Sequence, residues 1–344
     1  METGEAQPPS RTILAAAGKF LVAVLALLPL AVSLSPADRG PLGAPPNRPD
    51  PEPGGLVLFE PRTVGELVAV LDRAWAEVER GEVPNVAPAS LPPGLDRLPA
   101  ARRKDLFVRA VVPHVVAANQ RVRAERRALT ALAERLERGE PLTEVGTVFL
   151  LDLARRYRVE ASAAAVRADP APVVRELLVR VDEVPIPLAV AQAALESAWG
   201  TSRFAVEGNA LFGQWVFRRE AGMAPRERPE GARYAVAAFP GLGEAVEGYL
   251  RNLNTLWAYE EFRALRARAR AEGRDPDPRE LAWGLIRYSI RREAYVEEVL
   301  AVMRHNRLHR YRGVELVRLS PEAVKQALLG VRTAAGGRGG SADA

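Results

Sequence analysis

The chain has 344 residues, 48% hydrophobic and 26% charged, with a formal net charge of +5, the proportions of an ordinary globular protein able to bury one large core or two smaller ones. It contains no cysteine, which excludes disulfides and thiolate metal sites and leaves the compartment to be read from other features. The positive excess is spread over arginine-rich stretches that also carry acids, and neither an RNA-binding module nor a helix-turn-helix pattern is present, so no nucleic-acid partner is expected.

From Phe20 to Leu34 the sequence is almost purely apolar, and reaching back to Thr12 gives the length of a bilayer-spanning helix, interrupted only by Lys19. Arg11 and Lys19 precede the apolar run, an asymmetry that keeps the amino terminus in the cytoplasm and sends the following chain across the membrane. Small residues at Ala31-Val32-Ser33 also suit a signal peptidase. Residues 1–35 are therefore expected to be a membrane anchor or a cleaved signal segment, and both readings export the rest. Residues 36–55 are rich in Pro and Gly and read as a tether.

An amphipathic pattern predicts a helix from Thr63 to Arg80, with Val64, Leu67, Val68, Leu71 and Trp75 on one face. Pro84 to Pro99 reads as a proline-broken connector. Helices follow over Ala101–Arg138, bent near Pro113, then Glu144–Ala154 and Ser162–Val181. Residues 56–160 thus read as an all-α region without catalytic residues, and residues 161–315 as the catalytic domain. Within the latter, Leu211–Phe217 and Tyr234–Phe239 read as the strands of a hairpin around a Gly/Pro-rich loop. Helical patterns then run over Glu244–Trp257, Tyr259–Glu272, Arg279–Tyr288 and Ala294–Arg307. Residues 316–344 read as a tail, disordered from Thr333 on. His305 and His309 are four apart on one helix, but no third ligand accompanies them, so neither a metal nor another cofactor is expected.

The chemistry concentrates between Val184 and Gly200. Pro187 suits the first turn of a helix and Gly200 a left-handed end. The helix between them is apolar or small nearly all round, as in a buried helix. Between Glu183 and Arg203 the only ionisable side chain is Glu196. A lone buried carboxylate costs several kcal/mol if charged and unpaired, so it takes up a proton, and the negative end of the helix dipole works in the same direction. A carboxylic acid that stays protonated near neutral pH is what glycosidic cleavage requires, because the leaving oxygen must receive a proton as the bond breaks.

The run from Ala191 through Glu196-Ser197 and Trp199-Gly200 to Ala205, followed by Gly208-Asn209 and Leu211-Phe212-Gly213, resembles the signature of the bacterial peptidoglycan β-N-acetylglucosaminidases, among them autolysins and flagellar rod-associated hydrolases. The similarity is greatest to the Bax-type branch and extends from about Arg102 to about Leu308. It implies a mainly α, lysozyme-like helical domain with a small β-hairpin lobe, and hydrolysis of the bond after N-acetylglucosamine in peptidoglycan strands. By this resemblance Glu196 is the catalytic acid and Tyr288 lines the cleavage site. Gln192, Ser197, Asn209, Phe212, Gln214 and Trp215 fall along the substrate groove, with core packing an alternative for Tyr288, Phe212 and Trp215. A second carboxylate, kept in part of the wider family, would fall on Glu227, with Glu220 and Glu230 as rivals. The chain departs from the branch at Ala210, Val216, Leu256-Trp257 and Ile290-Arg291-Arg292, all near the expected groove. A lytic transglycosylase and a non-catalytic wall-binding scaffold are the alternative readings. Oligomeric state is not readable.

Overall fold

The computed structural model describes residues 55–216, 222–223 and 235–331. The expected anchor, the tether up to residue 54, the hairpin loop with Glu220, Glu227 and Glu230, and the tail from Thr333 lie outside the described residues. Among the described residues no helix is long and apolar enough to cross a membrane.

The protein is mainly helical, organised around one long helix. In chain order the elements are β1 (Val57–Phe59), α1 (Val64–Ala76), β2 (Val83–Pro84), β3 (Val86–Pro88), α2 (Ala100–Glu137), α3 (Glu144–Arg156), α4 (Ala163–Ala168) and α5 (Ala171–Arg180). Then come α6 (Ile186–Glu196), α7 (Arg203–Gly208), β4 (Trp215–Val216), β5 (Gly222–Met223), β6 (Ala235–Ala237), α8 (Leu242–Thr255), α9 (Glu260–Ala271), α10 (Pro278–Ala282), α11 (Glu293–His305), β7 (Leu316–Val317) and α12 (Pro321–Ala327). Short 3₁₀ turns occupy Trp257–Tyr259 and Trp283–Tyr288.

Helix α2 runs uninterrupted through Pro113. Its first half, with Phe107, Val111 and Val115 fully buried, packs against α6 and α8 in the main core. Its second half carries Leu129 and Ala133 into a smaller core shared with α3, α4 and α5. The main core draws on residues from Phe59 to Leu328, so the strands and helix before α2 and the segment after residue 316 pack together with the region around α6.

The expectation of an all-helical first half needs correction. β1 pairs in parallel with β3, Val57 opposite Val86, and β2 pairs in parallel with β7, Val83 opposite Leu316. These strands are two or three residues long and contain Pro84 and Pro88, so local alternation is too short to reveal them and proline reads only as a break. The pairing also gives residues 316–331 ordered structure: Ser320 Oγ caps α12 by accepting the Ala323 N–H, and α12 packs on α1. The stretch expected as one helix from Ser162 to Val181 is divided into α4 and α5 at Asp169-Pro170. The hairpin forms in a shorter version than expected, with β4 and β5 both antiparallel to β6, and Leu211–Gln214 approach it as irregular chain.

Candidate active site

The entry to α6 is fixed by side chains that replace missing backbone partners. Asn119 of α2 donates to Val184 O at 2.7 Å and accepts the Val184 N–H at 3.1 Å, while Asn254 Nδ2 and Arg266 donate to Asp182 O at 3.0 and 3.1 Å. Pro185 and Pro187 then start the helix without spending any N–H. Every residue from Ile186 to Ala194 is buried, so the helix is clamped on all sides and its last residue, Glu196, has a fixed position.

The end of α6 is abrupt. Ala198, Trp199 and Gly200 take left-handed backbone angles in succession, φ 52, 60 and 77°, a conformation costing about 1 kcal/mol or more for each non-glycine residue. The turn is fastened by Ser197, whose hydroxyl donates to Ala193 O at 2.6 Å and accepts the Gly200 N–H at 2.9 Å. Glycine is favoured at 200 for a second reason, since a Cβ on Gly200 would stand 2.5 Å from Leu91 Cδ1.

Glu196 is partly buried, and a hydrogen-bond chain ends on it. Tyr249 Oη donates to Gln192 Oε1 at 2.6 Å, and Gln192 Nε2 donates to Tyr295 Oη at 2.9 Å. With its oxygen occupied as an acceptor, the Tyr295 hydroxyl has its proton free for the Glu196 carboxyl, with which it hydrogen-bonds. Burial pushes the carboxyl up to about 7, the Tyr295 bond and the Arg291 charge oppose this, and the Glu298 charge adds to it. Arg291 forms a two-pronged ion pair with Glu298, 2.8 Å at Nη2, and its guanidinium lies 5.8 Å from the Tyr295 ring centre. Glu196 forms no ion pair with any described residue.

The rings around this acid form a stack. Tyr288 lies parallel to Tyr295 with centroids 5.4 Å apart, and Tyr259 stands 5.9 Å from Tyr288. Tyr288 Oη donates to Phe212 O at 2.8 Å, which ties the chain between α7 and β4 to the site. The next residue, Gly213, has φ 58°, and a side chain there would begin 3.4 Å from Glu196 Oε2, so the backbone passes directly beside the carboxyl. Replacing Tyr288 with Phe leaves the Phe212 carbonyl without that donor. We expect a loss of about 1–3 kcal/mol in unfolding free energy, measured by denaturant titration, together with reduced activity.

The residues expected along the groove divide into distinct roles. Gln192 and Phe212 are buried, the former within the hydrogen-bond chain and the latter stacked on Tyr249 at 4.0 Å. Ser197 is likewise buried and spends its hydroxyl on the helix end. These three support the acid from beneath. Asn209 closes α7 in a left-handed conformation and donates to Phe239 O at 3.1 Å. Its Oδ1, like Gln214 Oε1, is buried without a hydrogen-bond partner among the described residues, which leaves two acceptors for a ligand or water. Trp215 lies in β4 opposite Val236, and Glu227 lies outside the described residues. Two surface concavities, one lined by Arg158, Glu160, Glu176 and Arg180 and the other by Lys104, Asp105, Asn306 and Arg310, bring together none of the expected residues. Sequence reasoning missed Tyr249, Tyr259, Tyr295 and Glu298, and marked Arg291 only as a departure near the groove. The available signal was Gln192, a polar residue four before Glu196 on an otherwise apolar helix, which has to find partners when buried.

Arg292, which precedes α11, sits at φ 49° and ψ −116°, a region suited to glycine. Arg292→Gly should relieve strain of about 1–3 kcal/mol, partly offset by the greater freedom of glycine in the unfolded chain. Thermal unfolding is expected to shift upward; an unchanged or lower midpoint would show that the Arg292 side chain compensates for its backbone.

The segment holding Glu196, Tyr288 and Tyr295 falls within the reach of known proteins. The family model described as mannosyl-glycoprotein endo-beta-N-acetylglucosaminidase (Glucosaminidase) matches residues 171–308. Protein bax of Escherichia coli (strain K12) is 31% identical over 223 residues, 64% of this chain and 77% of that protein. No solved structure matches. A relative of that identity and coverage extends well beyond the segment around Glu196 into the long helix that supports it, and the chain belongs to the glucosaminidase family, in its Bax-type branch, among peptidoglycan-related glycosidases.

Proposed function

We propose that this protein hydrolyses the β-1,4 bond after N-acetylglucosamine in peptidoglycan strands, with Glu196 as the general acid. The observation that carries this reading is an unpaired carboxyl at the end of a buried helix, raised to about 7 by burial and oriented by Tyr295. At that value about half of the molecules carry the proton at pH 7, and they release it to the leaving oxygen as the glycosidic bond lengthens. Gln192 and Tyr249 keep the Tyr295 hydroxyl, and through it the carboxyl, in one orientation. The two unpartnered acceptors at Asn209 and Gln214 suit donors such as sugar hydroxyls and acetamido N–H groups. The apolar run from Phe20 to Leu34, with basic residues before it, supports an exported, membrane-tethered enzyme acting in the cell envelope. Mass spectrometry of digested wall tests the reaction. Reducing N-acetylglucosamine ends are expected; anhydro-muramyl ends would replace hydrolysis with lytic transglycosylation, and no products would favour a wall-binding scaffold.

A further inference from the structure

The 3₁₀ turn Trp257–Tyr259 faces two ways. Tyr259 turns inward and joins the stack with Tyr288 and Tyr295 beside Glu196. Trp257 turns outward and is 51% exposed. A half-exposed indole forgoes much of the stabilisation that burial of a large apolar side chain supplies, and its position next to the candidate site gives that exposure a use.

Arg287, the residue before Tyr288, places its guanidinium 5.4 Å from the Trp257 ring centre. It is exposed and forms no ion pair with any described residue, in a protein whose arginines are mostly tied to carboxylates or carbonyls, as Arg123, Arg156 and Arg270 are. The pair therefore combines a half-exposed indole with a cation that has no acidic partner among the described residues, and each member lies within two residues of the tyrosine stack. Trp283, 42% exposed, begins the same turn that carries Arg287, and Ile290, 44% exposed, follows it.

We propose that Trp257 and Arg287 form a further substrate subsite, which takes a saccharide of the glycan strand that bears an acidic peptide stem. The apolar face of a pyranose stacks on the indole, and the guanidinium pairs with a stem carboxylate through its planar fork of N–H donors. One structural unit thus reads both chemical components of a stem-bearing strand. Continuity with the tyrosine stack selects the glycan as the occupant, and a cation without an acidic partner among the described residues selects the acid-bearing saccharide over a plain one. This inference rests on the proposed action on peptidoglycan.

Binding measured on the full chain carrying Glu196→Gln separates the two ideas, because affinity is read without turnover. The probes are purified glycan strands with their peptide stems and the same strands stripped of stems by an amidase. Trp257→Ala in this background is expected to weaken binding to both strand types by about tenfold or more, and Trp257→Phe, which keeps a stacking face, to retain most of the affinity. Arg287→Gln is expected to weaken binding to stem-bearing strands alone and so erase the preference for them. Unchanged affinity in Trp257→Ala, equal losses on both strand types in Arg287→Gln, or no binding by the parent would overturn the subsite. Digestion of the same strands by the unsubstituted chain judges the hydrolase reading by itself, since cutting that persists beside an unaltered Trp257→Ala affinity leaves the reaction standing without the subsite.

Discussion

Glu196→Gln is expected to lower wall hydrolysis by about 10²–10⁴-fold, the usual contribution of a general acid, and to stabilise the fold in alkaline solution. The first effect follows from removing the donated proton while keeping the shape of the side chain. The second follows from the folded carboxyl titrating at about 7 against an ordinary value of 4.5. A carboxyl raised on folding contributes its stability in full below the unfolded value, and that contribution is lost as pH rises through about 7, where the buried group must become charged. Glutamine carries no such cost. The variant's thermal midpoint should therefore exceed that of the parent at pH 8 by several degrees and lie close to it at pH 5. A midpoint difference that does not depend on pH would show that Glu196 is not held in its neutral form. Arg291 bears on the same balance: its ion pair with Glu298 keeps a strong cation from pairing with Glu196 and lowering it.

Asp182→Ala is expected to produce the largest loss of stability, about 3–5 kcal/mol, the range for removing one partner of a buried ion pair. Asp182 is 1% exposed and receives Arg270 at 3.1 Å, Arg126 at 3.6 Å and Arg266 at 3.8 Å. Arg266 is fully buried and donates to the carbonyls of Val179, Arg180, Asp182 and Glu183. Burial pushes the Asp182 carboxyl up, but Arg266 and its fellow arginines outweigh burial and hold it below the usual carboxylate range. Without the anion, Arg266 would be a buried charge with only carbonyl dipoles for compensation. The substitution also loosens the chain four residues before α6, so activity should fall with stability. Denaturant unfolding at pH 7 measures the effect, and a loss below about 1 kcal/mol would mean that the guanidinium has moved to solvent. The acid-side sign is opposite to that of Glu196: a depressed carboxyl stabilises above its unfolded value, and that stabilisation is lost as pH falls through the folded one.

The contrast between these two carboxylates shows what local sequence conveys. Glu196 stood out because its neighbours are apolar on every side of one helix, a pattern contained within a dozen residues, and α6 begins at Ile186, one residue before the Pro187 that marked its first turn. Asp182 lies in an equally short stretch, yet its partners come from α2 and α9, more than 50 residues away on either side. The β2–β7 pairing joins Val83 to Leu316, and no periodicity in either segment reports on the other. Tyr295 escaped notice for the same reason, since its role depends on Gln192, 103 residues earlier. The motif also gave Ser197 and Phe212 the position of groove residues, whereas packing turns both inward: a hydroxyl that closes a helix end and a ring that stacks on Tyr249 are as constrained as a substrate contact, and a motif does not separate the two.

The protonation state of Glu196 can be observed directly. A carbon-13 NMR titration of the glutamate side-chain carboxyls, with the Glu196 signal assigned by its loss in Glu196→Gln, should show that signal titrating near pH 7, apart from the exposed glutamates. A midpoint at or below the ordinary 4.5 would mean that the group is charged at neutral pH, and Glu196 could not serve as the proton donor.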